Sequence, residues 1–167
     1  MSNICLIGFM GCGKSTIAYR LSYHLQTPFV DTDRMIEHEQ GCTVSDIFAK
    51  FGEEHFRSLE TRCLQKLIRE KRNVIVATGG GIPLREENVN LLHDIGKVIY
   101  LYCTPETLFE HLKSDTGRPL LRCEDPKAKI RNMLIERDPV YRRAADYIVN
   151  TEGKEIPQII EEIAGMV

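Results

Sequence analysis

Apolar, strand-like runs occur at residues 3–7, 28–30, 74–77, 97–102 and 147–149. Between and after them the apolar positions follow a helical rhythm, at 14–26, 33–39, 44–50, 54–71, 85–94, 105–113, 126–144 and 155–165. Strands alternating with helices predict an α/β chain built on a parallel sheet with helices packed against it. Residues 114–125 break the rhythm: Gly117, Pro119, several charges and few spaced apolar positions predict a mobile loop, long enough to act as a lid. There are no repeats, low-complexity tracts or linkers, so 167 residues predict one domain over 1–167.

Charge and composition narrow the function. A net charge of −2 and a pI of about 6.2 supply no basic field for nucleic acid. A small-molecule partner is expected instead. No apolar run approaches the roughly 18 residues that span a bilayer, so no membrane partner is expected and the cytoplasm is the default compartment. The six cysteines show no Cys-x-x-Cys pair and read as reduced thiols rather than zinc ligands or disulfides.

The first strand runs directly into Gly8-Phe9-Met10-Gly11-Cys12-Gly13-Lys14-Ser15, two glycines with four residues between them followed by Lys and Ser. With Thr16 opening a helix, this is the strand–loop–helix order of a nucleoside triphosphate site. Glycines let backbone N–H groups turn toward phosphates, and the helix start adds the positive end of its dipole. Lys14 is expected to reach the β and γ phosphates, and the Ser15 hydroxyl to ligate Mg²⁺.

Ligands of parallel sheets lie beyond the carboxyl ends of the strands. There the second strand carries Asp31-Thr32-Asp33 and the third carries Thr78-Gly79-Gly80-Gly81. If the chain stays extended, the two carboxylates point the same way, one toward Mg²⁺ and one toward an acceptor hydroxyl. Equally, Asp33 suits the cap of the next helix. The three glycines expose amides to hydroxyl or phosphate oxygens, or simply form a flexible connection. Arg57 and Glu60 share a helix face and read as a surface salt bridge, while Phe48 and Phe56 suit a core. Arg118 is placed to neutralise a transferring phosphoryl group or to sit in solvent. Arg137, Arg142 and Arg143 gather near one helix end, either as carboxylate binders or as a solvated face.

Taken together, Gly8 to Thr16, Asp31-Thr32-Asp33, Phe56-Arg57-x-x-Glu60, Thr78 to Gly81, Gly117-Arg118-Pro119-Leu120-Leu121 and Arg137 to Asp146 resemble the shikimate kinase family over nearly the whole chain. The resemblance implies a three-layer α/β/α P-loop kinase fold with a five-stranded parallel sheet, a lid at about 114–125 and a substrate-binding region at about 33–60. It implies ATP-dependent phosphorylation of the shikimate 3-hydroxyl; apart from the resemblance, a monomer is expected. Gly11, Cys12, Gly13, Lys14, Ser15 and Thr16 would then hold ATP, with Arg118 closing from the lid and Lys14, Asp33 and Arg118 serving the transfer. Asp33, Phe48, Phe56, Arg57, Gly79, Gly80, Gly81 and Arg137 would bind shikimate, and Mg²⁺ would be held by Ser15 and, through water, by Asp31. His111 stands where the family often carries an arginine on the nucleotide side. Two rival readings stay open: another small-metabolite kinase of the same architecture, and a silent nucleotide-binding module.

Overall fold

The computed structural model describes residues 3–114 and 122–167. Among them the chain order is β1 (Ile4–Ile7), α1 (Lys14–Leu25), β2 (Phe29–Asp31), α2 (Thr32–Gln40), α3 (Val44–Phe51), α4 (Glu53–Glu70) and β3 (Ile75–Ala77). A single 3₁₀ turn (Ile82–Leu84) follows, then α5 (Glu86–Ile95), β4 (Lys97–Tyr102), α6 (Pro105–Leu112), α7 (Pro126–Ala144), β5 (Tyr147–Asn150) and α8 (Ile156–Ala164). The strands line up as β2-β3-β1-β4-β5, all parallel.

The central strand β1 and its neighbour β3 are buried along their whole length, as both faces of a parallel sheet are covered by helices. Register pairs Cys5 with Val76 on one side and with Val98 on the other, so three strand ends finish side by side. That arrangement puts Gly8, after β1, next to the glycines after β3. The main core is this sheet with Ile17, Leu21, Leu64, Ile130 and Ile163 from the helices against it. A second, smaller cluster of Ile36, Ile47, Phe56, Leu59 and Cys63 joins α2, α3 and α4 to one another.

Local chemistry explains where the helices begin. Thr43 and Asp46 form a reciprocal capping box at the start of α3, and Thr104 caps α6 with Pro105 in its first position. The start of α2 corrects the sequence expectation. Asp31, and not Asp33, is the cap, accepting the Arg34 N–H at 3.2 Å. The strand stops at Asp31, so Asp31 and Asp33 do not share an extended face. Pairing of Asp31 with Ala77 ends the ladder, and the helix takes over at the next residue.

Candidate active site

The loop after β1 turns on glycines with positive φ, +81° at Gly11 and +96° at Gly13, values that L side chains rarely adopt. Gly13 is the residue before α1, so the loop delivers the chain into the helix start. Lys14 is buried, and its ammonium donates to the carbonyls of Gly8 (2.7 Å) and Phe9 (2.9 Å), with the Cys12 sulfur at 3.6 Å. Ser15 and Thr16 face solvent in the first turn. The Ser15 hydroxyl donates to Asp31 Oδ2 at 2.5 Å, which joins the phosphate-type loop to the end of β2.

The segment after β3 meets the other two there, and the first of its glycines keeps its amide inside the protein. The Gly79 N–H donates to Thr32 Oγ1 at 2.9 Å and is therefore taken up inside the protein. What Gly79 contributes is space: a Cβ on it would stand 2.8 Å from Asp33 Oδ1 and 2.8 Å from Glu60 Oε1. At Gly81 a Cβ would collide with the Arg57 guanidinium. Gly80 lies against the Gly8–Met10 backbone, and its carbonyl accepts the Tyr141 hydroxyl at 2.7 Å.

Charge converges on the same place. Arg57 donates from Nη1 to Glu60 Oε2 at 2.8 Å and from Nη2 to Glu53 Oε1 at 3.2 Å. This pair is no surface salt bridge, because Glu60 is wholly buried and Arg57 is mostly so. The shared helix face was legible; its burial was not, since it depends on α2 and the glycine segment closing over α4. Burial pushes the Glu60 carboxyl up to about 7, opposed by Arg57 and assisted by Asp33. Arg57 itself is raised: its two carboxylate partners outweigh the burial that disfavours its charge.

Arg137 comes from α7, with its guanidinium carbon 5.7 Å from the centroid of the Phe9 ring in the phosphate-type loop. One turn further on, burial pushes Tyr141 up to about 12, while Arg137 and Arg57 pull it down. Tyr141 feels both arginines while holding the Gly80 carbonyl, and is a site residue to which the sequence reading gave no role. Its place in the Arg137–Arg143 segment, one helical turn after Arg137, was the available signal. Arg142 is held elsewhere, by Asp138 at 2.7 Å.

Phe56 is buried and Phe48 is partly exposed, with ring centroids 4.9 Å apart, so Phe48 offers an apolar wall and Phe56 its backing. Lys14, Ser15, Asp31, Asp33, Arg57, Gly79, Gly80, Gly81 and Arg137 are thus brought to one end of the sheet. Arg118, expected over the nucleotide, lies outside the described residues.

Residues 10–167 match the family model for shikimate kinase. The chain belongs to the shikimate kinase family. It is 42% identical over 163 residues to shikimate kinase of Thermodesulfovibrio yellowstonii, covering 98% of this chain and 93% of that one. Against the shikimate kinase of Caldanaerobacter subterraneus the identity is also 42%, over 98% and 94% of the two chains. Among solved structures, shikimate kinase from Acinetobacter baumannii in complex with shikimate superposes with a TM-score of 0.94 at 37% identity, covering 99% of this chain and 92% of that one. The Aquifex aeolicus shikimate kinase superposes with a TM-score of 0.84 at 36% identity, over 97% and 94%.

Proposed function

We propose that this chain transfers the γ-phosphoryl group of ATP to the 3-hydroxyl of shikimate, giving shikimate 3-phosphate and ADP. The observation that carries the reading is the pairing of a glycine loop and buried Lys14 with two arginines at the same sheet end, Arg57 against Gly81 and Arg137 over the Phe9 ring of that loop. An acceptor for such a site bears an anion at one end and a hydroxyl at the other. Shikimate has both, and family membership together with the shikimate-bound relative of A. baumannii supports it over other small acceptors.

Phosphoryl transfer asks mainly for alignment and charge stabilisation. Gly11, Cys12, Gly13, Lys14, Ser15 and Thr16 hold the triphosphate at the start of α1, and Lys14 exchanges its carbonyl partners for phosphate oxygens. Arg57 and Arg137 grip the acceptor carboxylate, Tyr141 steadies Gly80 beside it, and Phe48 backed by Phe56 covers the apolar side of the ring. Asp33, in the space left by Gly79, orients the hydroxyl that attacks and takes its proton. The Ser15 hydroxyl beside the Asp31 carboxylate forms a hard-oxygen pair that fits Mg²⁺. Ser15 would hold that ion directly and Asp31 through water, and when bound it neutralises charge on the β and γ phosphates. Arg118 is assigned to the nucleotide from the lid at about 114–125.

The substrate-binding region at about 33–60 is supported by the separate cluster that joins α2, α3 and α4. One domain spans 1–167 in this reading, acting as a monomer in the cytoplasm. Among the described residues no helix is long and apolar enough to cross a membrane.

The test is turnover of ATP by the purified protein with Mg²⁺, offering shikimate, gluconate, nucleoside monophosphates or no acceptor. ADP release dependent on shikimate, with phosphorylated shikimate as product, is the expected result. Nucleotide binding without turnover on any acceptor would overturn the reading. Lys14→Ala is the control and should lose on the order of a thousandfold in rate, the scale of removing one charged stabiliser of the transition state.

A further inference from the structure

His111, on the last turn of α6, has no part in the assignments above. Its ring Nδ1 lies 2.7 Å from the Gly11 carbonyl oxygen. A carbonyl only accepts, so Nδ1 carries the hydrogen, in the neutral ring as in the charged one. The next residue, Leu112, is buried against the same glycine: a Cβ on Gly11 would stand 2.7 Å from the Leu112 γ-carbon. One turn of α6 therefore holds Gly11 by its carbonyl and by its missing side chain.

The Gly11–Cys12 peptide is trans, as no cis peptide is present among the described residues. In a planar trans peptide the C=O and the following N–H point in opposite directions. With the Gly11 carbonyl turned out to His111, the Cys12 N–H points the opposite way and donates to the Phe9 carbonyl at 3.2 Å, closing the turn of the loop over a carbonyl that the Lys14 ammonium also engages. Backbone amides of such a loop bind a phosphate chain. We propose that His111 is a positioning residue of the phosphate loop, whose Nδ1–H fixes the Gly11–Cys12 peptide plane and with it the Cys12-to-Phe9 turn that shapes the loop, and so strengthens binding of the nucleotide's triphosphate chain.

The proposal rests on the reading of Gly8 to Ser15 as the nucleotide site. It locates the effect in the phosphates and not in the base. It also predicts which replacement works. Asparagine carries its Nδ2 at the same number of bonds from the backbone as histidine's Nδ1 and can donate to Gly11. Alanine has no donor, and glutamine carries its amide one carbon further out.

The experiment compares the full chain with His111→Ala, His111→Asn and His111→Gln. Binding of ATP and of inorganic tripolyphosphate, each with Mg²⁺, is measured by calorimetry, and kcat and KM are measured for ATP and shikimate. Loss of one neutral hydrogen bond predicts about three- to tenfold weaker binding of both ATP and tripolyphosphate in the Ala and Gln variants. KM for ATP rises with it, KM for shikimate stays, and Asn restores most of the loss. Weakened ATP binding with unchanged tripolyphosphate binding would overturn the proposal in favour of a contact with the base. Unchanged binding of both, or an Asn variant as weak as Ala, would also overturn it. If the unaltered chain binds neither ligand, the nucleotide-site reading itself fails, a result distinguishable from all of these.

Discussion

Tyr141 donates its hydroxyl to the Gly80 carbonyl at 2.7 Å, a bond that spans 61 residues of sequence and ties α7 to the glycine segment after β3. The ring is fully buried, so the hydroxyl has no water to fall back on. Tyr141→Phe keeps the packing and leaves the carbonyl unmatched. The expected outcome is a stability loss of about 1–2 kcal/mol in urea unfolding. KM for shikimate should rise while KM for ATP holds. Equal rises in both would remove Tyr141 from the acceptor side.

Arg137 carries the second half of the proposed carboxylate grip. Charge-assisted hydrogen bonds contribute about 1.5–3 kcal/mol, so Arg137→Ala should weaken shikimate roughly ten- to a hundredfold. Its contact with the Phe9 ring is the lesser interaction, and ATP affinity should stay within about threefold. Titration of the variant with each ligand separately checks this, and a comparable loss of both would refute the assignment.

Glu60 makes stability depend on pH in a defined direction. Its carboxyl is raised from 4.5 to about 7, so between those values the folded chain holds a proton that the unfolded chain has released. The contribution is complete below about 4.5 and is lost as pH rises through about 7. Glu60→Gln keeps an acceptor for Arg57 and removes the titration. Relative to that variant the unaltered chain should lose on the order of 2–3 kcal/mol between about pH 5 and about pH 8. Thermal melts of the two proteins that run parallel across this range would contradict it.

Gly79 leaves room beside Asp33 and Glu60 and commits its amide to Thr32. In Gly79→Ala the new methyl would press on the ends of both Asp33 and Glu60, while the N–H bond to Thr32 could persist. If Asp33 orients the attacking hydroxyl as proposed, displacing it should cost on the order of a hundredfold in shikimate turnover with nucleotide affinity kept. An active Gly79→Ala variant would show that Asp33 has latitude the geometry denies it.

The strands and helices were legible almost throughout, because each strand is a continuous apolar run bounded by a glycine, an aspartate or a charged helix start. The convergence of Gly8–Ser15, Asp31–Asp33 and Gly79–Gly81 was legible too, since parallel strands deliver their following loops to one edge. Four features were not. Which aspartate caps α2 depends on where β2 stops pairing with β3, a matter of partner length. The use of Gly79 and Gly81 as hollows depends on side chains arriving from α2 and α4. The burial of Glu60 depends on the same closure, which a helix face read by itself does not disclose. The 3₁₀ turn at Ile82–Leu84 was also missed, being too short to show a period.

The five-residue cluster that joins α2, α3 and α4 stands apart from the sheet core, and a small apolar cluster is where a fold opens first. Asp33 and Phe48 ride on α2 and α3, whereas Arg57 is on α4, which reaches from this cluster, through Phe56, Leu59 and Cys63, into the larger core, through Leu64 and Leu67. A ligand gripped by Asp33, Arg57 and Arg137 would therefore stitch the looser layer to the firmer one. Amide exchange in α2 and α3 should slow when the acceptor is present and stay unchanged in β1 and β3, so that the substrate serves as a removable part of the protein's own architecture.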